Sequence, residues 1–229
     1  MNYSLRILTF CIPLLILVSC DKDPEQTGCT DQYAVNYDPG ALKDDGSCVF
    51  NDAEQIIWSD GMRGGWNGDL LQGAFRMDVC SGEITEIVQE RDSVTLEQSL
   101  YLGTGGDTQH KSYFSILNEQ NARDFAEGSL RMGIRISETE TGAPEYIRLY
   151  IGGKILQSES CEPHRRSDFV EISTHSFNDS IYTPVNIPIR NFDQIMMAHV
   201  NVVCGIQFEG ERSTGIEVNE IRWVANKLD

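Results

Sequence analysis

The sequence predicts an all-β protein, a β-sandwich of jelly-roll type preceded by a small disulfide-closed module. Three observations carry this expectation. From Glu54 onward, short runs rich in β-branched and aromatic residues are separated by Gly, Asp, Asn and Ser turns. Several of these runs alternate apolar with polar residues at period two, the pattern of strands with one wet face. The main helix candidate, residues 119–125, is short, and closely spaced short strands without long helices give two packed sheets.

In chain order, residues 1–6 are polar, with Arg6 as their one charged side chain. The apolar run 7–18 has the length of a secretory h-region and is short for a ~30 Å hydrocarbon core. Leu17-Val18-Ser19-Cys20 resembles the lipobox of bacterial lipoproteins. That resemblance implies cleavage after Ser19 and lipidation of Cys20, with several acyl chains as a stable membrane anchor. Residues 1–19 are therefore read as a signal peptide and 20–27 as an acidic tether. Asp21-Lys22-Asp23-Pro24-Glu25 resembles the export tag of Bacteroidota surface lipoproteins, which implies an outer-membrane, cell-surface location.

The formal net charge is −17, and removal of residues 1–19 takes away only Arg6, leaving −18. Such acidity excludes nucleic acid and anionic membrane surfaces as electrostatic partners. Outside the cytoplasm the cysteines are expected to pair. Cys29 and Cys48 bracket a short Gly- and Asp-rich segment and are assigned to one bridge. Cys80 and Cys161 are the expected second pair, with Cys204 a buried thiol inside Val202-Val203-Cys204-Gly205-Ile206. Sequence alone leaves other pairings open. The four histidines are scattered and no zinc-ligand spacing is present.

Residues 28–48 closely resemble a module of the form GCTDxxAxNYxPxAxxDDGSC that recurs in secreted Bacteroidota proteins, and a domain at 28–49 is assigned on it. Its Asp31, Asp38, Asp44 and Asp45 are hard oxygen ligands of the kind calcium prefers, although Asp-Asp-Gly is also an ordinary turn.

The remaining domain, 54–226, contains the strand runs 55–58, 75–79, 84–88, 113–117, 130–136, 146–151, 185–189 and 216–223. Four landmarks occur in order along it. They are Trp58-Ser59-Asp60-Gly61 with Gly65-Trp66, then Ala126-Glu127-Gly128-Ser129-Leu130-Arg131-Met132, Tyr182-Thr183-Pro184-Val185-Asn186-Ile187-Pro188-Ile189, and Glu217-Val218-Asn219-Glu220-Ile221-Arg222-Trp223. This succession resembles the galactose-binding-like domain at the C-terminus of bacterial exo-β-glucanases of the ExoP type. The resemblance implies a jelly roll similar to carbohydrate-binding modules and a polysaccharide partner, with β-glucan as the substrate class. Sandwiches similar to this one often hold calcium near their first and last strands, which points to Asp60 and Asn219.

Enzymatic signatures are weak. No Gly-x-Ser-x-Gly elbow, phosphate loop or dinucleotide fingerprint is present. Gly103-Thr104-Gly105-Gly106-Asp107 lacks a Gly-Lys-Ser/Thr ending and reads as a wide hairpin loop, and His164-Arg165-Arg166 reads as a solvated basic spot. Binding needs only a rigid platform on which sugar C–H faces stack against rings while polar side chains take the hydroxyls. Trp66, set between Gly64-Gly65 and Asn67-Gly68, either stacks on a sugar or caps the sandwich. Tyr113 and Tyr150 lie on strands that could form a concave sheet, with Arg131 and Arg148 as hydrogen-bond donors beside them. The leading expectation is a non-catalytic carbohydrate-binding lipoprotein. The alternatives are a structural or adhesion lipoprotein binding protein or envelope material, and a jelly-roll lyase or hydrolase.

Overall fold

The computed structural model describes residues 26–31, 34–51, 53–71, 73–92, 95–137, 142–153 and 165–225. The expected signal peptide, Cys20, most of the tether, Cys161 and His164 lie outside the described residues. In the small module, β1 (Thr27–Gly28) and β2 (Lys43–Asp44) pair in parallel. Cys29 and Cys48 form a disulfide, as expected, with their Cα atoms 4.8 Å apart. The module is tied to the larger domain by Asn121, whose Nδ2 donates to the Val35 carbonyl at 2.6 Å.

The larger domain is a β-sandwich. One sheet has five strands in the order β11 (Val170–Ser173), β10 (Tyr146–Gly152), β13 (Val200–Glu209), β8 (Gln109–Gln120) and β5 (Arg76–Ser81). The other has seven: β12 (Thr183–Pro188), β9 (Ser129–Ile136), β14 (Gly215–Val224), β3 (Glu54–Ser59) and β4 (Met62–Arg63), with β7 (Thr95–Gly103) on β14 and β6 (Glu83–Asp92) on β7. One edge of β14 is shared, with 215–218 pairing to β7 and the stretch from Ile221 to β3. The change of partner falls at Asn219–Glu220, where Glu220 takes φ 51°.

Alternation along the strands builds the core. Phe114, Ile116, Ile147, Leu149, Ile151, Ile206 and Phe208 of the five-stranded sheet face Ile57, Trp58, Leu102, Leu130, Ile134, Val218 and Trp223 of the other. The Trp223 Nε1–H is satisfied inside the core by the Val203 carbonyl at 2.8 Å.

Two expectations are corrected here. Residues 119–125 are not a helix: β8 runs to Gln120, and a single 3-10 turn follows at Arg123–Phe125. Asp124 is held there by Asn51, whose backbone N and Nδ2 donate to its two carboxylate oxygens at 2.6 and 2.9 Å, while Ala122 and Phe125 turn inward. The segment 103–107 is not a hairpin loop, because β7 and β8 belong to different sheets and the segment crosses between them. Cys204 is free and buried, and burial pushes its thiol up to about 12. Cys80 is disulfide-bonded.

Candidate functional site

The alternation that fills the core sends the intervening residues of the five-stranded sheet to its outer face. Strand register sets them in rows. One row runs Glu171, Arg148, Gln207, Lys111 across β11, β10, β13 and β8. The next runs Tyr150, Gly205, Tyr113, Asp78 across β10, β13, β8 and β5.

Gly205 is the floor of the second row. A Cβ at this position would stand 2.0 Å from Tyr150 Cζ, so the missing side chain lets the tyrosine ring lie across β13. Tyr113, Tyr150 and Val202 form an apolar cluster separate from the interior, with Cys80 and Phe169 packed against it. The Arg166 guanidinium sits 3.7 Å over the Phe169 ring and 5.8 Å from that of Tyr150. Its Nη1 is buried and has no hydrogen-bond partner among the described residues.

Burial raises both tyrosine hydroxyls above the ordinary phenol range, with the nearby Asp78 charge adding to the effect at Tyr113. Both therefore remain protonated at neutral pH. Arg148 Nε donates to Glu171 Oε1 at 2.8 Å, and its Nη1 lies 3.6 Å from Glu209. Tyr146 shares this face with Arg148 by alternation and is 43% exposed, so its ring is open to a ligand. The face thus combines one accessible ring with amide, guanidinium, phenol and carboxylate groups. That set stacks and hydrogen-bonds.

The structure brings together Tyr113, Tyr150 and Arg148 of the expected residues. It does not bring Arg131 to them: Arg131 lies on β9, on the outer face of the opposite sheet. The two tyrosines are buried, at 9% and 1% exposure, so they form the bed of the face and not an open platform.

Trp66 is also corrected. It is 4% exposed and packs edge-on against Phe125 and Trp223, with centroids 5.8 and 6.0 Å apart. Gly64 and Gly65 signal close backbone approach, not flexibility: a Cβ on Gly64 would stand 1.7 Å from the Ile56 carbonyl oxygen, and one on Gly65 2.3 Å from the Asp69 carbonyl oxygen. Gln55 then clamps the turn, accepting from Asn67 N at 2.6 Å and donating to Asn67 Oδ1 at 2.9 Å. The indole has nowhere to go but inward.

The proposed calcium ligands are dispersed. Asp38, Asp44 and Asp45 accept hydrogen bonds from the backbone N–H groups of Gly40, Gly46 and Ser47, the geometry of Asx turns. Asp31 lies exposed in the same module. Asp60 occupies the β3–β4 turn at φ 48°, and Asn219 leans over Gly133. Among the described residues no three His, Cys, Asp or Glu side chains form a group suited to a metal.

Gly205, Gln207, Tyr146, Glu171 and Arg166 were not singled out from sequence as ligand-contacting residues. Only Gly205 carried a usable signal, a lone glycine inside the apolar run 200–208. Arg166, read as part of a solvated spot, is instead packed against rings.

No family model and no curated protein matches this chain. Among solved structures it is similar to a family 30 carbohydrate-binding module, with 14% identity and a TM-score of 0.51, over 77% of this chain and 89% of that one. A family 11 module of a cellulosomal cellulase of Clostridium thermocellum aligns at 10% identity and TM-score 0.48, over 76% of this chain and 95% of that one. A family 11 module from Clostridium thermocellum in complex with a beta-1,3-1,4-mixed-linked tetrasaccharide aligns at 12% identity and TM-score 0.47, over 75% and 95%. The likeness to the family 30 module establishes the shared β-sandwich fold.

Proposed function

We propose that this chain is a non-catalytic carbohydrate-binding protein, lipid-anchored at Cys20 on the cell surface, whose sugar site is the outer face of the five-stranded sheet. The observation that carries the reading is the pair of rows on that face, Tyr150–Gly205–Tyr113 beside Glu171–Arg148–Gln207–Lys111. The shared fold with a family 30 carbohydrate-binding module supports it.

In this reading the exposed ring of Tyr146 stacks on the C–H face of a pyranose. Arg148 and Lys111 donate to hydroxyls, Glu171 accepts from them, and Gln207 does both. Because Tyr113, Tyr150 and Gly205 are already packed, the polar row is held in place before the ligand arrives, which lowers the entropy cost of binding. The preference for β-glucan rests on the ordered landmarks that resemble the exo-β-glucanase domain.

Affinity electrophoresis against β-glucans and other neutral polysaccharides tests the site. Retardation by a glucan is expected, weakened about tenfold or more in Tyr146→Ala and Arg148→Ala, the scale of losing one stacking or charged contact. Absence of retardation by every polysaccharide refutes the function. Protease treatment of intact cells tests the location: digestion is expected, and an untouched chain refutes surface display.

A further inference from the structure

The opposite sheet carries a second constellation. On its outer face Asn186, Arg131 and Arg222 stand side by side on β12, β9 and β14. They line a cleft of about 640 Å³ together with Glu54, Tyr182, Asn219 and Glu220. In the adjacent row Gly133 lies between Pro184 and Asn219. Its missing side chain seats the Asn219 amide: a Cβ there would stand 2.1 Å from Asn219 Oδ1 and 3.1 Å from Tyr182 Cβ.

The polar groups of this cleft divide into two kinds. Arg222 is spent, since its Nη1 lies 2.7 Å from Glu54 Oε1 and its Nη2 3.0 Å from Glu220 Oε2. Arg131 is not. Its Nε donates to Ser129 Oγ at 3.1 Å, and no carboxylate pairs with it among the described residues. The side-chain amides of Asn186 and Asn219 likewise have no hydrogen-bond partner among the described residues.

One wall is rigid. The Tyr182 ring lies 4.6 Å from the Arg135 guanidinium, and its hydroxyl donates to Glu217 Oε2 at 3.3 Å. Behind it the Arg135–Glu217 pair is closed at 2.6 Å, with side-chain exposures of 8% and 1%. Glu220, at φ 51°, holds the strand irregularity that places Asn219 and Arg222 on either side of it.

We propose that this cleft is a second saccharide-binding site, independent of the first and on the opposite face of the sandwich. It rests on the carbohydrate-binding reading only for the class of ligand. The chemistry selects a neutral, hydroxyl-rich ligand. Two arginines and two glutamates balance, which leaves no net charge to draw a polyanion or a polycation. The unspent groups are a guanidinium fork matched to adjacent hydroxyls and two amides that each donate and accept. Sites on both faces make the domain bivalent, so one molecule bridges two polysaccharide chains and binds a polymer more tightly than a short oligosaccharide.

Titration calorimetry of the full chain with neutral tetrasaccharides of β-1,3-glucan, mixed-linkage glucan, xylan and galactan tests this, with oligogalacturonate as the anionic arm. Two sites per chain are expected for at least one neutral sugar, falling to one in Arg131→Ala/Asn186→Ala and to one in Tyr146→Ala/Arg148→Ala. Loss of either site should weaken binding to the polymer about a hundredfold, the low end of avidity gains. Equal melting temperatures of the variants separate loss of binding from loss of fold. One site that survives Arg131→Ala/Asn186→Ala overturns the second site and leaves the first standing. One site lost only in that variant supports the second site and overturns the first. Binding through Arg131 of oligogalacturonate alone overturns the neutral-ligand assignment, and no binding of any sugar overturns both sites.

Discussion

His110 makes folding stability depend on pH in a window where few other groups titrate. The residue is fully buried on β8, with its ring stacked on Phe208 at 4.8 Å. Nδ1–H donates to the Gly103 carbonyl at 3.0 Å, so the neutral ring leaves Nε2 to accept from the Ser112 hydroxyl at 2.8 Å. Burial drives its pKa from 6.5 down to about 4, against a smaller opposing effect of the Gly103 hydrogen bond. The folded protein therefore holds the imidazole neutral, while the unfolded chain takes up a proton near pH 6.5. The resulting stability is full above that value and drains away as the pH falls toward 4. Linkage puts the loss at ~2 kcal/mol by pH 5 and ~3 kcal/mol at the acid end of the window.

Urea unfolding of the wild type and His110→Gln at pH 7 and pH 5 measures this. Glutamine cannot titrate but can still donate to the Gly103 carbonyl. The variant should be less stable at pH 7 and lose about 2 kcal/mol less than the wild type between the two pH values, equivalent to ~4–8 °C in melting temperature. The other histidines are common to both proteins and cancel in the comparison. Equal losses in the two proteins, or a His110 ring that titrates near 6.5 by NMR, would refute the reasoning.

Other substitutions test the packing. Trp66→Ala removes an indole wedged between Phe125 and Trp223 and should cost about 3–5 kcal/mol in urea unfolding, as buried aromatic truncations do. At temperatures where it stays folded, its retardation by glucan should match the wild type. Gly205→Ala forces the Tyr150 ring off β13 and should cost roughly 1–3 kcal/mol by thermal melting, with a changed tyrosine environment in near-UV circular dichroism. Glu217→Gln strands the buried Arg135 charge and should cost about 3–5 kcal/mol, whereas the double change Arg135→Met/Glu217→Leu should recover most of it.

Much of the fold was legible because its information is local. Period-two alternation in 130–136 and 146–151 tells which residues face inward, and the structure keeps Leu130, Ile134, Ile147, Leu149 and Ile151 in the core. The Cys29–Cys48 bridge and the buried Cys204 were legible for the same reason, since short spacing and an apolar neighbourhood are read directly from the chain.

The candidate site residues depended on longer-range facts. Arg131 and Arg148 both occupy outward positions on alternating strands and look equivalent in sequence. Pairing places Arg131 between Asn186 and Arg222 in one sheet and Arg148 between Glu171 and Gln207 in the other. Trp66 appears exposed beside its glycines, yet the contact of Gly64 with the Ile56 backbone folds it inward. Local patterning marked eight strand runs, their inward and outward faces and the closed module, because each follows from neighbours along the chain, whereas β7, β11 and β13 were not among the expected runs. Which outward residues share a face emerged only on folding, because sheet membership and register are set by pairing between segments far apart in sequence.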